Sequence, residues 1–152
     1  MSISKSLYAQ VRQRARFRCE YCHYPEFLSS APLSIDHLQP QSLGGTDLLD
    51  NLALACRRCN ERRYNFTTGV DPKTGTEISL FNPRKQSWSE HFIWSVDGTQ
   101  IFGTTSIGRA TSNRLDLNDE RRTDRFIQKS RQQWVKSGLH PPIDDPRQSG
   151  KI

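Results

Sequence analysis

No run of apolar residues in this 152-residue chain approaches the roughly 18 needed to cross a membrane. The N-terminal stretch MSISKSLYAQVRQRARFRC has no apolar secretory core. The expectation is therefore an intracellular, cytoplasmic protein with no membrane partner. Internal repeats and low-complexity tracts are absent as well. Hydrophobic residues are scarce at 34%, against a usual share of ~45%, so apolar burial leaves a thin margin and a staple would help. The length allows one domain with a modest core, or a small module with an accessory layer, and argues against two large domains.

Cysteine is limited to four residues, but they are arranged as Cys19-x-x-Cys22 and Cys56-x-x-Cys59. In a reducing compartment such pairs are more often metal sites than disulfides. Each knuckle offers two sulfurs on a tight turn, half of a tetrahedral shell. Together they make a closed four-thiolate site typical of structural zinc, with no position left for water or substrate. A thioredoxin-like redox pair or unlinked buried thiols are the alternatives, and the doubling argues against both. The zinc would tie the end of an N-terminal helix to the start of a second helix.

Positive charge is in excess: 22 Lys and Arg against 16 Asp and Glu give +6, with a pI near 9.4, which favours a polyanion such as nucleic acid. Leu7, Val11 and Ala15 recur every four residues and suit a basic amphipathic helix over Ile3 to Arg16. Leu33 to Ile35 reads as a short strand, Pro40 and Gly44-Gly45 as a returning loop, and Leu52 to Leu54 as a second strand. The run RRCNERRYN after Cys56 reads as a helix carrying Arg57, Arg58, Arg62 and Arg63, the densest basic cluster. TTGVDPKTGTE is expected to be a connecting loop. HFIWSV and QIFGTT, separated by Asp97-Gly98, predict a hairpin. Thr111 to Leu117 and Asn118 to Lys136 predict helices, and GLHPPIDDPRQSGKI an extended or disordered tail. The organisation expected is thus 1–66, a connecting loop 67–82, an accessory region 83–137 and a tail 138–152.

Asp36 and His37 follow the first strand. Alternation along a strand would turn them opposite ways, one toward a metal and one toward a substrate. Asn60, one residue past the last cysteine, can offer an amide oxygen to the same metal as Asp36. CEYC, IDHLQPQSLGG and LLDNLALACRRCN, taken together, resemble the HNH endonuclease family over Arg16 to about Asn65. That resemblance implies an α+β fold built on a ββα-metal (His-Me finger) module. It implies His37 as general base, Asp36 and Asn60 as ligands of one catalytic divalent ion, and Asn51 as the asparagine that fixes the loop and orients the histidine. Asn60 stands where the family's pattern closes on His or Asn. With oxygen donors only, Mg²⁺ or Mn²⁺ is expected at this second site, beside structural Zn²⁺.

Phosphodiester hydrolysis needs a group to deprotonate water and a cation where charge develops on the phosphate oxygens. The implied activity is a DNA endonuclease leaving 5'-phosphate and 3'-hydroxyl ends, in a bacterial or phage setting. Arg57, Arg58, Arg62 and Arg63 would grip phosphates of double-stranded DNA with little sequence specificity. One such site cuts one strand, so a homodimer would be needed for a concerted double-strand break. The alternative is a non-catalytic zinc-stabilised nucleic-acid-binding module.

LFNPRKQSWSEHFIW, GTTSIGRAT, LDLN and GLHPP resemble the C-terminal extension of a group of bacterial HNH proteins, many of them cyanobacterial. In that half, His91 with Glu90 is a further candidate for metal or phosphate contact, and Arg84 and Arg109 for phosphate contact.

Overall fold

The computed structural model describes residues 3–149. They form two compact units, one of residues 3–67 with 82–85 and the other of residues 68–81 with 86–149.

In the first unit, α1 (Lys5–Arg14) starts at Ser4, whose hydroxyl accepts a hydrogen bond from the Leu7 amide at 3.1 Å. Val11, on its inner side, is fully buried. Arg12 reaches the carboxylate of buried Glu26, which also accepts from the Leu33 amide at 2.9 Å. Glu26 thereby ties α1 to the chain entering the first strand. β1 (Ser34–His37) pairs antiparallel with β2 (Leu52–Ala55), Asp36 opposite Ala53 and His37 opposite Leu52. All four residues of β2 are buried, so this strand is the unit's apolar centre. α2 (Arg57–Arg63) follows at once. Strand, strand and helix in this order make the ββα module.

β1 extends beyond the expected Leu33 to Ile35, so that Asp36 and His37 lie on the strand itself. The 82–85 segment rejoins this unit through Arg84, which donates to the Leu52 carbonyl at 2.8 Å and pairs with Glu20.

The second unit begins at Thr68. The stretch expected as a loop holds a hairpin, β3 (Thr68–Val70) against β4 (Glu77–Ser79). Its Asp, Pro and Gly residues form only the tip, where Asp71 accepts from the Lys73 amide at 2.9 Å. Beyond α3 (Trp88–His91), β5 (Phe92–Trp94) and β6 (Ile101–Gly103) make the expected hairpin about Asp97-Gly98, with Gly98 at φ 74°. α4 (Ser106–Leu115) begins five residues before the helix expected there, because Thr105 caps it by accepting from the Gly108 amide at 3.1 Å. Gly108 is required: a Cβ there would run into the carbonyl oxygen of His91.

The last helix, α5, spans only Phe126–Lys136. The residues before it, expected to be helical, spend their side chains on the backbone instead. Asn118 exchanges two 2.8 Å bonds with Ile101, Asp116 accepts from the Glu120 amide, and Asp119 from the Ile127 amide. Such local acceptors compete with helix formation. Of the apolar residues of α5, Ile127 and Trp134 are buried, whereas Phe126 and Val135 are exposed.

The core is aromatic: Trp88, Phe92, Trp94 and Trp134 are buried with Ile101, Leu115 and Leu117. Arg131, wholly buried, lies over the Trp94 ring at 5.3 Å and donates to the Thr99 carbonyl. The tail, expected to be extended or disordered, has no helix or strand of its own among the described residues but turns at residues 142–145 and is pinned through residue 148. His140 packs edge-on against Trp94 and Trp134, and the Gln148 amide donates to the Trp94 carbonyl at 2.8 Å. Residues 150–152 of the expected tail lie outside the described residues.

Candidate nuclease site and cysteine cluster

The four cysteines converge. Their sulfurs lie within 4.8 Å of one another, all four residues are buried, and Cys22 Sγ is 3.6 Å from Cys56 Sγ. Four sulfurs at about 2.3 Å from a tetrahedral ion would be about 3.8 Å apart, so the cluster is compatible with structural zinc. Within each knuckle an amide points at the first sulfur: Cys22 at Cys19 and Cys59 at Cys56, both at 3.5 Å. Burial pushes the Cys19 thiol well up, while hydrogen bonds from the neighbouring thiols hold Cys22 well down. Such a cluster cannot carry four thiolates without a cation among them.

The residues between the first two cysteines also have jobs, which the knuckle spacing did not reveal. The Glu20 amide donates to the Leu54 carbonyl, and its carboxylate accepts from the Leu54 amide, both at 2.8 Å. The knuckle is thus stitched to β2. The Tyr21 hydroxyl, fully buried, donates to Asp36 Oδ2 at 2.6 Å. Burial, with the Asp36 charge beside it, drives the Tyr21 hydroxyl well above its ordinary range.

Asp36 and His37 do face different surroundings. Asp36 is 4% exposed and, besides Tyr21, takes Arg63 Nη1 on both oxygens, at 3.1 and 2.9 Å. Burial raises its carboxyl above the usual aspartate range even against that guanidinium. His37 is less enclosed, and its Nε2 lies 2.7 Å from Asp47 Oδ1. Asp47 also accepts from Gln41 Nε2 at 3.0 Å, and its carboxyl is held below the usual range, first by the His37 hydrogen bond. An ionised carboxylate only accepts. In the neutral imidazole His37 Nε2 is then the donor and Nδ1 the acceptor nitrogen, and Nδ1 has no hydrogen-bond partner among the described residues.

The loop between the strands is shaped for this contact. Asn51 accepts from the Gln39 amide at 2.8 Å and donates to the carbonyls of Gln39 and Thr46, at 3.1 and 2.8 Å. It therefore closes the loop just before Asp47. Gly45 packs flush on the Gln39 carbonyl, where a Cβ would collide with the backbone. Asp47 is the site residue that the sequence reading missed. The signal available was its place between the Gly-Gly pair and Asn51.

Asp36, His37 and Asn60 line one cleft of about 320 Å³, together with Tyr64 and Asn65. Asn60 is half-buried on α2, and its side chain has no hydrogen-bond partner among the described residues. A carboxylate offers about four lone-pair positions, of which Tyr21 and the two Arg63 contacts take three. One carboxylate oxygen and one amide oxygen on an open cleft are hard donors that fit Mg²⁺ or Mn²⁺, which keep water and phosphate among their ligands.

The arginines are not equivalent. Arg63, expected to grip phosphate, is 3% exposed and turned inward onto Asp36 and the carbonyls of His37 and Leu38. Holding the charge of a buried carboxylate is the physical reason. Arg58 is half-buried, with its charge acting on Cys22. Arg57 is exposed and paired with Glu61 at 2.8 Å along the helix, and Arg62 is half-buried. Arg84 is committed to Glu20 and Leu52, and Arg109 to Asp71 through two 2.9 Å bonds. His91 ends α3 rather than lying on a strand, and its Nδ1 is 2.7 Å from the cap hydroxyl of Thr105.

Among the described residues no helix is long and apolar enough to cross a membrane. Neither the curated proteins nor the solved structures return a match to this chain. Residues 19–66 match the family model described as HNH endonuclease, a family that supports metal binding and a nuclease or nucleic-acid-related function. The matched stretch is about a third of the chain and holds the four cysteines, both strands and α2. The segment that builds the cysteine cluster and the cleft is thus the part of the chain that is similar to HNH endonucleases.

Proposed function

We propose that the protein is a divalent-metal-dependent endonuclease that hydrolyses DNA phosphodiester bonds at the cleft of residues 36, 37 and 60, with a structural zinc on the four cysteines. One observation carries the reading: His37 shares the cleft with Asp36 and Asn60, and its contact with Asp47 engages Nε2 rather than Nδ1, so that in the neutral ring Nδ1 is the basic nitrogen. Nδ1 takes the proton from the attacking water, and Asp47 holds the ring in that tautomer and stabilises the imidazolium that results. Asp36 and Asn60 hold the ion, while Arg63 and Tyr21 fix the Asp36 carboxylate. When bound, Mg²⁺ or Mn²⁺ offsets the charge that builds on the phosphate and leaving 3'-oxygen. The products are 5'-phosphate and 3'-hydroxyl ends. One site per chain nicks one strand, and a double-strand break takes a second event or a second copy of the chain.

A second reading has one observation in its favour. Asp36 is already satisfied by Arg63 and Tyr21, as suits a zinc-stabilised module that binds nucleic acid without cutting it. Supercoiled plasmid incubated with Mg²⁺ or Mn²⁺ separates the two. The nuclease converts it to the open circle, EDTA stops the conversion, and His37→Ala slows it by about 10² to 10⁴. Equal survival of the plasmid with wild type and His37→Ala, across metals and salt, leaves only the binding reading.

A further inference from the structure

Resting on the nuclease reading, we infer that Tyr64 is a stacking platform for an unpaired base, so that the preferred substrate presents single-stranded DNA at the cleft. Tyr64 follows the last residue of α2, and its amide closes the helix on the Asn60 carbonyl at 3.0 Å. Its backbone sits at φ 47° and ψ −122°, outside the region that side chains with a Cβ favour. The chain therefore turns sharply, and the Tyr64 side chain is 68% exposed on the same cleft as His37 and Asn60. Phe66, 44% exposed, meets it edge-on at 6.3 Å between centroids.

An aromatic ring left in water beside a candidate reaction centre contributes little to the core. Its face suits the π-face of a base, and stacking of this kind tolerates any sequence. Inside a duplex that face is covered by neighbouring pairs, so the base must be unpaired or at a strand end to reach Tyr64.

The charge around the cleft agrees. A duplex demands cations along two backbones, and of the four arginines of α2, Arg63 is buried on Asp36 and Arg58 is half-buried beside the cysteines. Arg57 is exposed but paired with Glu61, and Arg62 is half-buried, so the helix offers few cations to a second backbone. Exposed aromatics with few free cations around them suit a single strand better than a duplex.

The test is fluorescence anisotropy with labelled oligonucleotides, single-stranded and blunt duplex of the same sequence, on full-length His37→Ala in EDTA with its zinc content checked. Without divalent metal or base no cleavage occurs, so the result is independent of whether the protein is a nuclease. The single strand is expected to bind more tightly than the duplex. Adding Tyr64→Ala should weaken single-strand binding about tenfold with less than a twofold change for the duplex, and Tyr64→Phe should restore it. Equal losses on both substrates, no loss on either, absence of measurable single-strand binding, or failure of Tyr64→Phe to restore it would overturn the inference.

Discussion

The two units of the chain are held together by different physics. In the first, the fixed points are polar: four buried sulfurs, Glu26 under Arg12, Glu20 between Leu54 and Arg84, and Asp36 between Tyr21 and Arg63. In the second, Trp88, Phe92, Trp94 and Trp134 supply a conventional aromatic core, and the buried cation Arg131 donates to the carbonyls of Thr99 and Leu117 and lies over the Trp94 face. A small module that must keep an open cleft cannot also bury a large apolar mass. Its fixed points are instead the buried cysteine cluster and charge pairs, and Asn60 follows directly on the last cysteine of that cluster.

That contrast can be broken from the first unit's side most forcefully by taking away the metal. Binding of a structural zinc is worth on the order of 10 kcal/mol in small modules, so Cys56→Ser should cost the first unit its protected amides in hydrogen exchange. Amides of β5 and β6 should stay protected, and zinc content should fall from about one per chain to none. Equal loss of protection in both units would mean that they do not owe their stability to different sources.

The reverse cut is smaller. Trp94→Ala removes a wholly buried ring and should cost about 3–5 kcal/mol, lowering protection in the second unit while zinc content and the cysteine cluster persist. Loss of zinc in this variant would contradict the separation.

How much of this was legible in the sequence follows the same divide. Knuckle spacing, the Asp-His pair, the Gly-Gly loop and Asn60 are local patterns, and the structure brings the cysteines together and lines one cleft with Asp36, His37 and Asn60. Side-chain partners across the fold were not legible. Nothing local says that Arg63 turns inward to a carboxylate 27 positions earlier, or that Asp47 meets His37. In the second unit, helix boundaries failed where Asp116, Asn118 and Asp119 bond to backbone amides rather than let the helix continue. The 71–76 turn residues signalled a loop, and only strand pairing made the segment a hairpin.

A subtler difference lies in how a buried or partnered carboxylate is used. Asp47→Asn keeps the shape of the side chain but allows it to donate, which permits the wrong His37 tautomer. A fall in single-turnover rate of roughly 10 to 100-fold is expected, with DNA affinity unchanged. A change in affinity with an unchanged rate would assign Asp47 to binding instead.

In the second unit Arg109 holds the Asp71 carboxyl down to about 2. Its unfolded value is ~4. The pair's contribution is complete above that range and is lost as the pH falls toward 2. Asp71→Asn should therefore lower stability modestly at pH 7 and flatten its decline in acid, as read by urea midpoints across that pH range. An acid decline as steep as that of the wild type would remove the pair from the account.

The central claim is that one short segment carries two metals with different jobs, a closed zinc on sulfur and an open site on oxygen. Zinc content and magnesium-dependent plasmid nicking, measured on the same preparations of wild type and Asn60→Ala, test it most directly. About one zinc per chain is expected in both proteins, with nicking only in the wild type. Wild-type nicking by Asn60→Ala, or loss of its zinc, would contradict it.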